Sequence, residues 1–353
     1  MPEIIFIEGV SGVGKSTMCA YIKKRLENYY YRVRAYPEFD FTNPIDFYCT
    51  AYLRPDEYEY ILKEYPDQKD AVLRYTRPAG DARLVRYYDE DTPLFDGELL
   101  SYLSEREFCY DPKNPVPLEA YSLAYQNVWT RFEETLPDQY DFLIFDGSLI
   151  HHPVNDMIRN YDVSFEQAKH HVKMLLDILK NRRTYLFYME TDDLPAYLER
   201  AHKERGQKKP TEEEIAFWKK RYEYDLAVLS QLDTEKHVLK VSDCNWDKAE
   251  EKILSETAQI TEYDLKFVFD RVKSLAPVRW SQSQVEDDGF TGNFPIIAGN
   301  VNGRIFWLYE YGGDFVFSFE DDRYKNMHNH THPQNTDEAI ELILDYVNEH
   351  QKI

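Results

Sequence analysis

Cysteine is scarce in this 353-residue chain. The four cysteines, Cys19, Cys49, Cys109 and Cys244, stand far apart with no C-x-x-C pair. That spacing argues against both a zinc site and a disulfide framework, and it predicts a reducing compartment. Basic residues are outnumbered, 42 Lys and Arg against 64 Asp and Glu, for a formal charge of -22. A surface of that sign repels DNA and RNA unless a local basic patch is present, so a nucleic-acid partner is disfavoured. No apolar run approaches the length of a membrane span, and the first apolar run begins too close to Met1 to leave room for a signal peptide. Together these absences predict a soluble, cytoplasmic protein with no membrane partner. Two domains are expected at this length.

What is present is concentrated near the start. The apolar run Ile4-Ile5-Phe6-Ile7 reads as a short buried strand. It is followed by Gly9-Val10-Ser11-Gly12-Val13-Gly14-Lys15-Ser16-Thr17 and then by a helical pattern over 18–27. The loop matches G-x-x-x-x-G-K-[ST] in full, between the strand and the helix that the motif requires. Glycines let such a loop turn its backbone N–H groups onto phosphate oxygens, and the helix N-terminus adds partial positive charge behind them. Lys15 is placed to reach β- and γ-phosphates, and the Ser16 hydroxyl to ligate Mg²⁺. ATP and Mg²⁺ are therefore the expected cofactors.

Further strands follow at 31–36, 140–146, 184–190 and 237–241, alternating with helices. This predicts an α/β fold with a doubly wound, parallel, five-stranded sheet of P-loop NTPase type. Ligands of such sheets sit beyond the carboxyl ends of the strands. Glu38, with Asp40 and Asn43 close behind it, and Asp146, which closes the apolar third strand, are thus expected beside the glycine loop, with Asp146 joining Ser16 in the metal shell. His151, His152, Asn155 and Asp156 follow as candidates for a substrate pocket. Residues 48–118 read as a helical insertion interrupted at Arg77-Pro78-Ala79-Gly80, and Arg74, Arg77, Arg83 and Arg86 within it are either phosphate-facing or part of a solvated surface. Between about 194 and 232, two helices joined by a basic turn (Arg200, Lys203, Arg205, Lys208, Lys209) have the charge of a closing lid, and Thr211 with Glu214 forms a capping box for the second helix. From 258 to 353 the alternation stops, and a small α+β domain is expected, with a hairpin turning at Asn302-Gly303 and a terminal helix starting at Thr336 or Asp337. His328, His330 and His332 share one face of an extended segment there, a metal-capable spacing that lacks a fourth ligand.

Over residues 1–257 the chain resembles the P-loop nucleoside and nucleotide kinases of the deoxynucleoside kinase and thymidylate kinase group. Glu38 is similar to the carboxylate that serves those enzymes as general base. Asp146-Gly147-Ser148 resembles their acid-Arg-Ser motif, with Gly147 standing where the family has arginine. Residues 200–206 resemble their arginine lid, and Val241-Ser242-Asp243 with Trp246 resembles the loop packed near the adenine. Gln126 is a candidate for their base-reading glutamine. The insertion and the domain from 258 have no counterpart in the resemblance.

The resemblance implies phosphoryl transfer from ATP to a hydroxyl or phosphate of a nucleoside, nucleotide or similar small molecule. In that scheme Lys15 and the loop amides hold phosphates, Ser16 and Asp146 position Mg²⁺, Glu38 orients the acceptor, Arg200 and Arg205 close over the developing charge, and Asp243 lies at the adenine. A homodimer is left open. The alternative is a regulatory nucleotide-binding ATPase or GTPase switch signalling through the C-terminal domain, although no Asn-Lys-x-Asp motif follows the fourth strand.

Overall fold

The structure is a computed structural model that describes residues 1–29, 31–136, 138–241, 246–258, 264–276, 278–285, 294–311, 314–321 and 324–351. The chain divides into two compact units, one of residues 1–19 and 34–246, the other of residues 20–33 and 247–353.

The first unit is built on β1 (Glu3–Gly9), which leads through the glycine loop into α1 (Lys15–Asn28); from residue 20 this helix is counted with the second unit, and the chain returns to the first in β2 (Val33–Tyr36). The next segment holds β3 (Thr50–Leu53), α2 (Pro55–Glu64), α3 (Lys69–Arg74), β4 (Thr76–Ala79), β5 (Ala82–Arg86), the ribbon β6 (Tyr88–Asp89) and β7 (Thr92–Pro93), α4 (Gly97–Ser104) and α5 (Leu118–Glu134). Then come β8 (Phe142–Asp146), α6 (His151–Tyr161), α7 (Phe165–Ile178), β9 (Thr184–Glu190), α8 (Leu194–Glu204), α9 (Glu212–Ser230) and β10 (Lys236–Lys240).

The main sheet is five-stranded and all parallel, in the order β10-β9-β1-β8-β2. Its centre is apolar on both faces: Ile4, Ile5, Phe6 and Ile7 are fully buried, Ile5 lying opposite Ile144 on one side and Tyr185 on the other. Continuous apolar strands of this kind belong in a sheet covered on both faces. The chain leaves β1 toward β2 on one side and reaches β9 on the other, so the crevice for a ligand opens beyond the carboxyl end of β1. Helix α5 packs with a stripe of Tyr121, Ala124, Tyr125, Val128, Trp129 and Phe132, at the spacing of one helical face. The Phe6 ring stacks on Trp129 at 5.8 Å and on Phe145 at 5.5 Å.

The segment 48–118, expected to be a helical insertion, is of mixed structure. It carries a three-stranded antiparallel sheet in the order β3-β5-β4 alongside its helices. Pro78 lies in β4, where it read as a helix and chain breaker. β4 is an edge strand, and there the missing N–H of a proline costs no ladder bond on the open side.

The second unit contains α10 (Asp247–Ala258), α11 (Asp264–Val272), β11 (Arg279–Val285), β12 (Phe294–Val301), β13 (Arg304–Tyr311), β14 (Asp314–Asp321), β15 (Tyr324–Thr331) and α12 (Thr336–Gln351). The five strands form an antiparallel meander in sequence order. Val268, Val272, Ile343 and Val347 of the helices share a core with Ile297, Phe306, Leu308 and Phe317 of the sheet. β12 turns into β13 at Asn302-Gly303, both with positive φ, as a two-residue hairpin of that composition requires. Among the described residues, no helix is long and apolar enough to cross a membrane.

Candidate functional site

The glycine loop is moulded to its surroundings. Gly12 has φ +81°, and a Cβ there would lie 2.9 Å from the Ala201 side chain and 3.0 Å from the Tyr197 carbonyl oxygen; at Gly14, φ is +98° and a Cβ would meet the Trp246 indole at 3.0 Å. Side chains are thus excluded by conformation and by space, which leaves bare backbone. Val10 and Val13 are buried beneath the loop, Ser11 is half-buried, and Ser16 and Thr17 are exposed at the first turn of α1. Lys15 is 6 % exposed, and its ammonium group donates to the Val10 carbonyl at 3.3 Å. The lysine is therefore folded back over its own loop, with two further N–H donors to offer.

Ser16 and Asp146, 130 residues apart in sequence, are in contact: the serine Oγ donates to the aspartate Oδ2 at 2.6 Å. The same oxygen accepts the backbone N–H of Glu38 at 3.3 Å, which ties the end of β2 to the end of β8. Asp146 is 1 % exposed, and its other oxygen, Oδ1, is buried without a hydrogen-bond partner. A charged oxygen left bare at that depth is costly unless a cation or water meets it.

The helical hairpin of α8 and α9 contributes cations. Arg205, half-exposed in the turn, lies 3.9 Å from the Glu38 carboxylate. The Arg200 guanidinium sits 4.5 Å from the Tyr197 ring and 5.6 Å from the Trp246 ring, and it approaches Glu204 at 3.7 Å. Trp246 in turn donates Nε1–H to the Val13 carbonyl at 3.3 Å. Thr211 caps α9, its hydroxyl accepting the Glu214 N–H at 3.2 Å while the Glu214 carboxylate takes the Thr211 N–H at 2.7 Å. α9 is held from below by a buried ion pair: Arg221 Nε meets Asp225 Oδ1 at 2.7 Å, Tyr188 donates to Asp225 Oδ2 at 3.0 Å, and Arg221 also donates to the carbonyls of Ile150 and His151.

A second layer was not foreseen from sequence. Glu8, the last side chain of β1 before Gly9, is completely buried and accepts the N–H groups of Leu149 at 2.9 Å and His151 at 2.8 Å. It fixes the N-terminus of α6, and burial raises its pKa to about 7 against the lowering effect of those hydrogen bonds. Asp46 lies 2.8 Å from His152 Nδ1 and also accepts the Tyr110 hydroxyl. Burial pushes the Asp46 carboxyl up, yet the charge and hydrogen bond of His152 hold it below its ordinary value; burial opposes protonation of His152, and Asp46 prevails and raises it. His151 lies parallel to the Trp218 ring, and burial holds its pKa well down. Glu38, His151 and His152 each place one potential ligand atom within 4.8 Å of the others, so Glu38 joins the two histidines of the expected substrate pocket in a group that could hold a metal ion. A charged residue closing an apolar run was the one sequence signal for Glu8; nothing local marked Asp46.

Gly147 explains a departure from the resemblance. At φ +68°, a Cβ there would lie 3.0 Å from the His151 Cβ and 3.3 Å from His152 Nε2, so the two histidines occupy the space an arginine side chain would leave through. Gln126 is a correction. It is exposed on the outer face of α5, lining a surface cleft with Gly80 and Arg131, whereas the face toward the core carries Tyr125 and Trp129. Asn43 does reach the site, its amide donating to Ser148 Oγ at 3.2 Å. Asp243 and His328 fall outside the described side chains, and His330 and His332 are exposed. A scan against protein-family models finds no match, and a search of curated proteins finds none either.

Proposed function

We propose that this chain is an ATP- and Mg²⁺-dependent small-molecule kinase of P-loop type. The observation that carries the reading is the Ser16–Asp146 contact at 2.6 Å, with Asp146 Oδ1 buried and unpartnered, at the foot of a loop whose glycines bar side chains. These residues fit the groups in question: bare backbone for phosphate oxygens, a lysine with N–H donors to spare, and a hydroxyl and carboxylate suited to a hard cation. When bound, Mg²⁺ supplies charge neutralisation on the phosphates, with Ser16 and Asp146 as its protein ligands. Lys15 holds the phosphate tail. Glu38 orients the acceptor hydroxyl or phosphate and takes its proton where one is lost, and its closeness to Arg205 lets the basic turn close on the same place. Arg200 is a positioning residue, held over the glycine loop through Trp246.

The test is ADP release by the wild type and by Lys15→Ala, with and without candidate acceptors. Release that depends on an acceptor and is lost in the variant supports the kinase. Acceptor-independent hydrolysis would instead favour the nucleotide switch, and full activity of Lys15→Ala would overturn both.

A further inference from the structure

The group formed by Glu38, His151 and His152 brackets a space without closing it. Glu38 lies just past β2, and the two histidines open α6. Among the described residues the Glu38 carboxylate bonds to neither ring, and its one ion pair is the 3.9 Å contact with Arg205. Yet one ligand atom of each residue lies within 4.8 Å of the other two. A tetrahedral ion with bonds of about 2.1 Å sets its ligand atoms about 3.4 Å apart. The three atoms therefore need to close by no more than about 1.4 Å, a movement shared among three side chains.

Each imidazole has a nitrogen to give. His152 Nδ1 is taken by the buried Asp46 carboxylate at 2.8 Å, which leaves Nε2 as the ligand atom. A carboxylate on the far nitrogen is how metal-ligating histidines are fixed in tautomer and orientation. Tyr48 meets Nε2 at 3.3 Å, long for a hydroxyl bond and readily given up. Gly147 keeps that nitrogen clear, since a Cβ there would lie 3.3 Å from it. His151 is 7 % exposed, and its Nδ1 is buried with no hydrogen-bond partner. Burial, and after it the charge of Lys15, keeps His151 in the neutral form that ligates metals. At His152 burial opposes positive charge, but the carboxylates of Asp46, Glu38 and Asp146 all favour it, and a dication answers to the same field.

The donor set selects the ion. Two imidazole nitrogens and one carboxylate suit zinc and its neighbours among the divalent transition metals, whereas Mg²⁺ takes oxygen ligands. Three protein ligands leave a fourth position open, as in reactive and not structural zinc sites. The Glu38 side chain, 26 % exposed, gives an ion a way in.

We infer that Glu38, His151 and His152 bind a divalent transition-metal ion of the zinc class, in an open site whose fourth position takes water or a ligand oxygen, distinct from the Mg²⁺ site proposed at Ser16 and Asp146. The inference goes beyond the kinase reading and stands without it.

The full-length protein is freed of metal with a chelator and titrated with Co²⁺, whose visible absorption intensifies in four- or five-coordinate sites, and then with Zn²⁺ as competitor. The expected result is a Co²⁺ spectrum well above that of the aqua ion, displaced by stoichiometric Zn²⁺ and not by a large excess of Mg²⁺. Asp46→Asn is expected to weaken Zn²⁺ by about 10- to 100-fold, and Glu38→Gln and His152→Gln by more than that, because they remove a ligand itself. Glu38 is partly exposed and its carboxylate makes no hydrogen bond, so Glu38→Gln keeps the fold and decides the case even where a histidine variant does not; an unchanged melting temperature without metal verifies it. Ser16→Ala is expected to leave the spectrum and the Zn²⁺ affinity as they are. Displacement by Mg²⁺, or loss of the signal in Ser16→Ala, would place the ion at the glycine loop and overturn the inference. Absence of binding, a spectrum no stronger than that of the aqua ion, or affinity indifferent to Glu38→Gln would overturn it as well. A signal lost in His330→Gln/His332→Gln and retained in Glu38→Gln would assign the ion to the second unit instead.

Discussion

Replacing Asp146 by asparagine isolates charge from shape. The carboxylate accepts from the Ser16 hydroxyl at 2.6 Å and from the Glu38 N–H at 3.3 Å through one oxygen, and the asparagine carbonyl can take over both bonds. The amide then occupies the position of the buried, unpartnered Oδ1. A charge-assisted hydrogen bond worth about 1.5–3 kcal/mol falls to about 1 kcal/mol, while a desolvated charge is removed at the same time. The two effects oppose, so the nucleotide-free protein is expected to keep its stability within about 1–2 kcal/mol in urea unfolding. The function does not share that cancellation. Loss of one preorganised charge typically removes about 2.7–4 kcal/mol of transition-state stabilisation, a 100- to 1,000-fold drop in turnover. The assay is acceptor-dependent ADP release over a series of Mg²⁺ concentrations, paired with unfolding curves. Asp146→Asn turnover within about 3-fold of wild type at unchanged Mg²⁺ dependence, a difference of well under 1 kcal/mol, would refute the role assigned to this carboxylate.

Three further outcomes follow from other parts of the first unit. Gly12→Ala places a Cβ 2.9 Å from Ala201 at a φ of +81°; strain of about 1–3 kcal/mol and displacement of α8 should weaken ATP binding, and wild-type affinity by calorimetry would contradict the close approach. Glu8 has a folded pKa of about 7 against an ordinary 4.5. An acid raised in this way favours the folded state below pH 4.5 and loses that contribution as pH climbs through 7, by up to about 3 kcal/mol, so Glu8→Gln should flatten the fall in urea stability between pH 5 and pH 8, and an unchanged slope would remove Glu8 as its source. Asp225→Ala strands the buried Arg221 and should cost about 3–5 kcal/mol, most of it regained in Arg221→Met/Asp225→Ala; a double variant as unstable as the single one would show that packing, and not the uncompensated charge, sets the loss.

The parallel sheet was legible because its strands are apolar on both faces, and a run such as Phe142–Asp146, buried at every position, has no other use in a chain this acidic. The glycine loop, the Thr211–Glu214 cap and the Asn302-Gly303 turn were legible because each is a local device whose residues specify one backbone conformation. The sheet of the insertion was not. Its strands span four or five residues, too short for alternation to register, and Pro78 in an edge strand imitates a break. Asp46, Glu8 and the Arg221–Asp225 pair escaped for a different reason: each owes its importance to burial and to partners more than 70 residues away, as Glu8 does to His151 and Arg221 to Ile150. Gln126 shows the converse error, a residue type matched to a role without regard to its face of the helix, where Tyr125 and Trp129 already point inward.

Transfer of labelled γ-phosphate tests the central claim most directly. The protein is incubated with γ-labelled ATP, Mg²⁺ and a panel of nucleosides and nucleoside monophosphates, and the products are separated by chromatography. The expected result is label in one of these acceptors, absent from Lys15→Ala and strongly reduced in Asp146→Asn. Label found only in inorganic phosphate, at a rate that no acceptor changes, would contradict it.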